Sequence, residues 1–184
     1  MAQLALTFAL YLVGVWIIGL SLYPSVCLVF NVWTSGIGLD GRLQLLRLSL
    51  AFAAGYFLFG LALTFLVGAV RTILGIRLKE GEYKIGSIGM AVWMLYNALF
   101  LLVRTVFMDF LLLTPLVSLF YRLMGAKLGA NVQINSKNVA DHPLLEIGDG
   151  AVIGGNATVI CHSFERQGLR LQKVKIGKGA IIGL

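Results

Sequence analysis

Two histidines, His142 and His162, are the first residues of this chain to weigh for chemistry. Imidazole exchanges its proton near neutral pH, so either is a candidate general base or acid. His162 stands where a run of short repeats gives way to the polar stretch SFERQGLRLQK. His142 lies in ADHP, beside Asp141 and Pro143, where an ordinary turn residue is the commoner reading. Glu165 is close enough in sequence to orient His162, although solvated surface acids are more frequent. Asn156 and Ser163 can offer hydrogen bonds to an oxyanion; a corner asparagine and a loop serine are their ordinary roles. Cys161 adjoins His162, but neighbours in extended chain face opposite ways, so it reads as a structural thiol. The basic residues Arg166, Arg170, Lys173, Lys175 and Lys178 suit phosphate groups, a solvated face or anionic lipid equally. The glycines of IGDGAVIGG follow a six-residue period with no closing Lys-Ser/Thr, so they make no phosphate loop.

The elements that must position these residues fall into two kinds. Hydrophobic residues make up 59% of the 184 and charged residues 12%, with a mean hydropathy of +0.90. A soluble domain would carry roughly twice that charged fraction, so most apolar residues here face lipid. The formal charge of +7 is spread along the chain without a basic, aromatic-rich cluster, which argues against nucleic acid as a partner. Apolar spans are expected over residues 4–33, containing Pro24, and over 48–70. The segment RTILGIRLKEGEYK, residues 71–84, holds Arg71, Arg77, Lys79 and Lys84 against Glu80 and Glu82. The positive-inside rule places it in the cytoplasm, with the first two spans as a hairpin in the inner (plasma) membrane. Residues 85–121 carry Arg104 and Asp109 between apolar runs. They read as helices lying in or dipping into the interface, anchored by Trp93, Tyr96, Phe107 and Tyr121; a second spanning hairpin is the alternative.

Beyond residue 127 the pattern changes. Aliphatic residues recur at six-residue steps: Leu128 to Ile134, Ile147 to Ile153 to Val159, and Ile176 to Ile182. Glycine follows at Gly129, Gly148, Gly154, Gly177 and Gly183. Such a period predicts a hexapeptide-repeat parallel β-helix over 127–184, after a membrane α-helical region over 1–126. At 18 residues per coil, about three coils form without a cap, which reads as an incomplete solenoid.

The hexads resemble the left-handed β-helix acyltransferases. More narrowly, TPLVSLFYRLMGAKLGANVQIN, DHPLLEIGDGAVIGG and ATVICHSFE are similar to the C-terminal membrane region of poly-lysine-synthetase-type nonribosomal peptide synthetases, over about residues 114–184. The chain has neither the adenylation nor the carrier domain of those enzymes. The resemblance implies transfer of an acyl or aminoacyl group from a thioester to an amine or hydroxyl at the membrane face. It implies an acyl-CoA or phosphopantetheinyl carrier as donor, no tightly bound cofactor, a carrier protein or domain as partner, and a homotrimer. His162 would then be the general base, with Asn156, Ser163, Arg166, Arg170 and Lys173 around the substrate. Two other functions compete. One is a non-catalytic anchor and trimerisation module, which has no use for a histidine at position 162. The other is a carbonic anhydrase-like zinc site, which needs three histidine ligands where this chain has two.

Overall fold

The computed structural model describes residues 2–165 and 168–183. Within these the chain divides into two compact units, Met1–Val67 and Gly68–Leu184, the division falling inside the second helix. Helix α1, Ala2–Thr34, runs on through Pro24, and α2 covers Gly41–Ile73. Asp40 starts α2 by accepting from the backbone N–H of Arg42 at 3.0 Å and of Leu43 at 3.4 Å, satisfying donors that the first turn leaves open. In the first unit the two helices approach closely at Gly55, whose carbonyl accepts from Ser25 Oγ at 2.7 Å. Most of their large apolar residues, among them Trp16, Tyr23, Phe30, Leu46 and Phe52, point away from any protein partner. Such faces are stable only where the solvent is itself apolar.

In the second unit, Ser87 caps α3, Ile88–Val106, by accepting from Met90 N–H. A short helix α4, Met108–Leu111, follows, and then α5, Pro115–Leu123, capped by Thr114 with Pro115 in its first turn. Residues Leu4–Thr34, Gly41–Ile73 and Ile88–Val106 are each long and apolar enough to cross a membrane. This is a membrane protein.

The strands are β1 Gly81–Lys84, β2 Lys127–Leu128, β3 Gln133–Ile134, β4 Leu145–Ile147, β5 Val152–Ile153, β6 His162–Glu165, β7 Gly168–Leu171, β8 Val174–Ile176 and β9 Ile181–Ile182. They form three sheets of three strands: β2-β4-β8 and β3-β5-β9, both parallel, and β1-β7-β6, antiparallel. The left-handed β-helix expected over 127–184 is corrected by this arrangement, which is a mixed α/β fold with small separate sheets. The polar stretch after Val159 does not leave as a loop between coils. It pairs as the hairpin β6–β7 and recruits β1 from residues 81–84, outside the repeat segment, with Glu82 opposite Arg170 and Tyr83 opposite Leu169. Leu169 and Leu171 are buried, so the hairpin gains an apolar face of its own.

Within the parallel sheets, the six-residue aliphatics lie in register. Leu128 pairs with Ile147 and Ile147 with Ile176, while Ile134 pairs with Ile153 and Ile153 with Ile182. Val139 bridges Val159. Ile134, Ile147 and Ile153 are buried, each worth about 1.5–3 kcal/mol when removed from water. Gly129 and Gly148 lie against the backbone of the next layer, at Asp149 and Lys178, where a side chain would collide.

Candidate functional site

One face of α3 repeats at helical spacing as Trp93, Tyr96, Phe100 and Arg104, and all four meet residues 138–142. Trp93 Nε1 donates to Asp141 Oδ1 at 2.8 Å, and Arg104 donates to Asn138 Oδ1 at 2.9 Å. Tyr96 lies 2.7 Å through its hydroxyl from His142 Nδ1. The helix therefore aligns the turn at 141–142, and the turn carries both a carboxylate and an imidazole.

Asp141 is fully buried and holds a left-handed backbone, φ 57° and ψ 41°, which Asp tolerates better than most residues. Its other oxygen, Oδ2, accepts from the backbone N–H of Cys161 at 3.1 Å and lies 2.5 Å from His162 Nδ1. Three donors thus converge on one buried carboxylate, with no Lys or Arg paired to it among the described residues. Because the carboxylate only accepts, the proton between it and His162 belongs on Nδ1. That leaves Nε2 as the basic atom, and it has no protein partner among the described residues. The ring is 20% exposed and packs edge-on to Trp93 at 5.0 Å between centroids. Phe164 closes the cluster, 5.5 Å from Trp93.

His162 lines a groove of about 510 Å³. Asn97, Phe100, Leu101 and Arg104 of α3 form one wall, and residues 137–140 with Thr158 and Ile160 form the other. A histidine oriented through Nδ1 by a carboxylate, with Nε2 available beside such a groove, has the geometry of a general base. The orienting acid is Asp141 and not Glu165. Glu165 lies exposed, 3.4 Å from Arg170 and 3.3 Å from Ser163 Oγ.

His142 is placed quite differently. It is fully buried, with rings of Tyr121 and Phe100 at 4.2 and 4.6 Å. Tyr96 Oη can donate only one proton, and Met124 O, 3.1 Å away, can only accept; His142 Nδ1 then donates to Tyr96. Nε2 is buried without a partner. Burial, aided by the nearby Arg71 guanidinium, lowers the pKa of His142 to about 3, so the ring stays neutral. Burial likewise pushes the Cys161 thiol up to about 12, with the Asp141 charge adding to it, so this thiol is no ready nucleophile.

The remaining sequence candidates disperse. Asn156 is an exposed turn residue with φ 59°. Lys173 and Lys175 gather with Lys127 on Glu146, at 3.3, 3.6 and 3.0 Å, on a surface that does not line the His162 groove. The Lys127 ammonium, hydrogen-bonded to it, holds that carboxyl below its ordinary range. Arg166 lies outside the described residues. The cations that do line the groove are Arg104 and Lys137. Arg104 stood in the sequence as a membrane-interface charge, and only its helical spacing from Trp93 and Phe100 hints at a shared face. Among the described residues no three His, Cys, Asp or Glu come together as a metal site. Comparison with family models, with curated proteins and with solved structures finds no match.

Proposed function

We propose that this chain is a membrane-bound acyltransferase, or the membrane-embedded part of one, with His162 as its general base. The observation that carries the reading is the buried Asp141 holding His162 Nδ1 while the ring borders a groove. In the reaction the acceptor amine or hydroxyl attacks the thioester carbonyl as its proton passes to His162 Nε2. The new C–N or C–O bond forms, the C–S bond breaks, and the proton leaves with the thiolate. The donor is an acyl-CoA or a phosphopantetheinyl carrier, as the likeness of residues 114–184 to peptide-synthetase membrane regions suggests. The membrane helices and the mixed polar and apolar groove suit a reaction at the bilayer face. The Arg/Lys-rich stretch 71–84 argues for that loop and residues 127–184 lying on the cytoplasmic side of the plasma membrane.

The test is thiol release from an acyl-CoA by the full chain in nanodiscs. His162→Ala should lower turnover by about 10² to 10⁴ with little change in donor binding, the usual worth of a positioned base. Near-normal turnover in the folded variant would remove His162 as the base, and no thiol release by the wild type above background would favour a non-catalytic anchor. For orientation, Glu82→Cys in intact cells should resist a membrane-impermeant thiol reagent; labelling from outside would reverse the assignment.

A further inference from the structure

Arg104 is a cation without a counter-charge. It gives one guanidinium nitrogen to Asn138 Oδ1 and has no carboxylate within ion-pair distance among the described residues. Lys137, the other cation beside the groove, is already paired with Asp109 at 3.0 Å. The helix that carries Arg104 is apolar enough to cross a membrane. An unpaired charge on such a helix is costly unless an anion meets it.

The hydrogen bond to Asn138 fixes where that anion sits relative to the base. Asn138 is three residues from Asp141, and Thr158, on the strand bridged beside it, is four from His162. At about 3.3 Å per extended residue these intervals are roughly 10–13 Å. Along α3, Arg104 is eleven residues from Trp93, which packs against His162. That interval is about 16 Å at 1.5 Å per residue, shortened because an arginine leans toward the N-terminus of its helix. Asn97 and Thr158 bring hydrogen-bonding side chains to the groove beside Leu101, Val139 and Ile160. A bare alkyl chain would leave the first two unused. The matching ligand carries an anion at one end, a reacting group more than 10 Å away, and hydrogen-bonding groups among apolar ones between them.

A phosphopantetheine arm has that make-up. Amides, a hydroxyl and paired methyl groups link its phosphate to its sulfur. Extended amide chain advances about 3.3–3.6 Å per three bonds, so the roughly thirteen bonds from phosphorus to sulfur reach about 15 Å. We propose that Arg104 takes the phosphate of a phosphopantetheine arm, which lies along the groove with its thioester at His162. This deepens the reading of His162 as the base, because that reading sets where the thioester must lie. The same arm occurs in coenzyme A and in carrier-bound thioesters.

Isothermal titration of the full chain in nanodiscs, with phosphopantetheine against pantetheine, reads the phosphate directly. The wild type should bind the phosphorylated arm about tenfold more tightly, the usual worth of a hydrogen bond to a charged group. Arg104→Gln should weaken the phosphorylated arm alone until the two are equal, and Arg104→Lys should keep most of the difference. Equal affinities in the wild type overturn the phosphate site, and that comparison needs no variant to fold. A difference that survives in folded Arg104→Gln overturns it too. Displacement of phosphopantetheine by inorganic phosphate at equal concentration overturns the arm as occupant. Coenzyme A and a phosphopantetheinyl-serine peptide should each lose the same factor in Arg104→Gln, and the tighter of the two names the source of the arm. His162→Ala should keep the phosphate preference while losing turnover. If it keeps both, the base assignment fails and the phosphate site stands. If it loses turnover while the wild type shows no preference, the phosphate site fails and the base stands.

Discussion

Replacing Asp141 by Asn changes one atom type and no volume, and it tests how His162 is held. The wild-type carboxylate accepts at both oxygens: from Trp93 at Oδ1, and from Cys161 N–H and His162 Nδ1 at Oδ2. An asparagine can keep only one oxygen. Facing Trp93 with that oxygen puts the amide NH₂ against two donors; facing the other way puts it against Trp93 Nε1. The Trp93-facing arrangement is relieved at His162 when the imidazole moves its proton from Nδ1 to Nε2 and accepts from the amide. Losing charge-assisted bonds at a fully buried site costs about 1.5–3 kcal/mol each, so a drop of about 2–4 kcal/mol in stability is expected. The flipped tautomer presents N–H instead of a lone pair to the groove, and turnover should fall by about 10⁴, as for an equivalent swap behind other oriented histidines. The assay needs no substrate. The chain has two histidines, so ¹⁵N-histidine labelling gives two rings to assign. In the wild type both should be protonated at Nδ1; in the folded Asp141→Asn variant only His142 should remain so. A wild-type His162 already protonated at Nε2 when neutral, or a variant with His162 unchanged, would refute the reasoning.

Two further outcomes follow from burial. His142 has a folded pKa of about 3 against the ordinary 6.5 of a free imidazole, so the unfolded chain binds the extra proton as pH falls through that window. Stability should therefore decline below about pH 6.5 by about 1.4 kcal/mol per unit, flattening near pH 3, with this slope absent in a folded His142→Gln variant. Denaturant titrations at pH 7 and pH 5 in the same detergent would check the sign. Cys161, raised to about 12, should resist alkylation at pH 8 until the protein unfolds; rapid native labelling would show that the thiol is not enclosed.

The sequence displayed some of this fold plainly and hid the rest for identifiable reasons. The apolar stretches near residues 4–33 and 48–70 lie within α1 and α2, because length and lipid solubility are local properties. The six-residue aliphatics end up in register across the parallel sheets, where Ile134, Ile147, Ile153 and Ile176 are buried. The pairing of 162–165 with 168–171 was hidden, since the third strand of that sheet lies about eighty residues earlier and the exposed face of β6 made the segment look like loop. His162 could be singled out by type and setting. Its partner could not: Asp141 is 21 residues away and becomes adjacent only when Val139 bridges Val159. Trp93 looked like an interfacial anchor because nothing in the helix itself reveals which neighbour its indole N–H will meet.

The bridge between Val139 and Val159 also limits how such a chain can be altered over generations. Asp141 and His162 come from successive layers, and their meeting depends on those layers pairing without a slip. A shift of one residue between them would turn His162 to the opposite side and part it from its acid. Insertions and deletions between positions 141 and 162 must therefore cancel in length or be absorbed at the turn around Asn156. Segments outside that interval can lengthen freely so far as the Asp141–His162 pair is concerned.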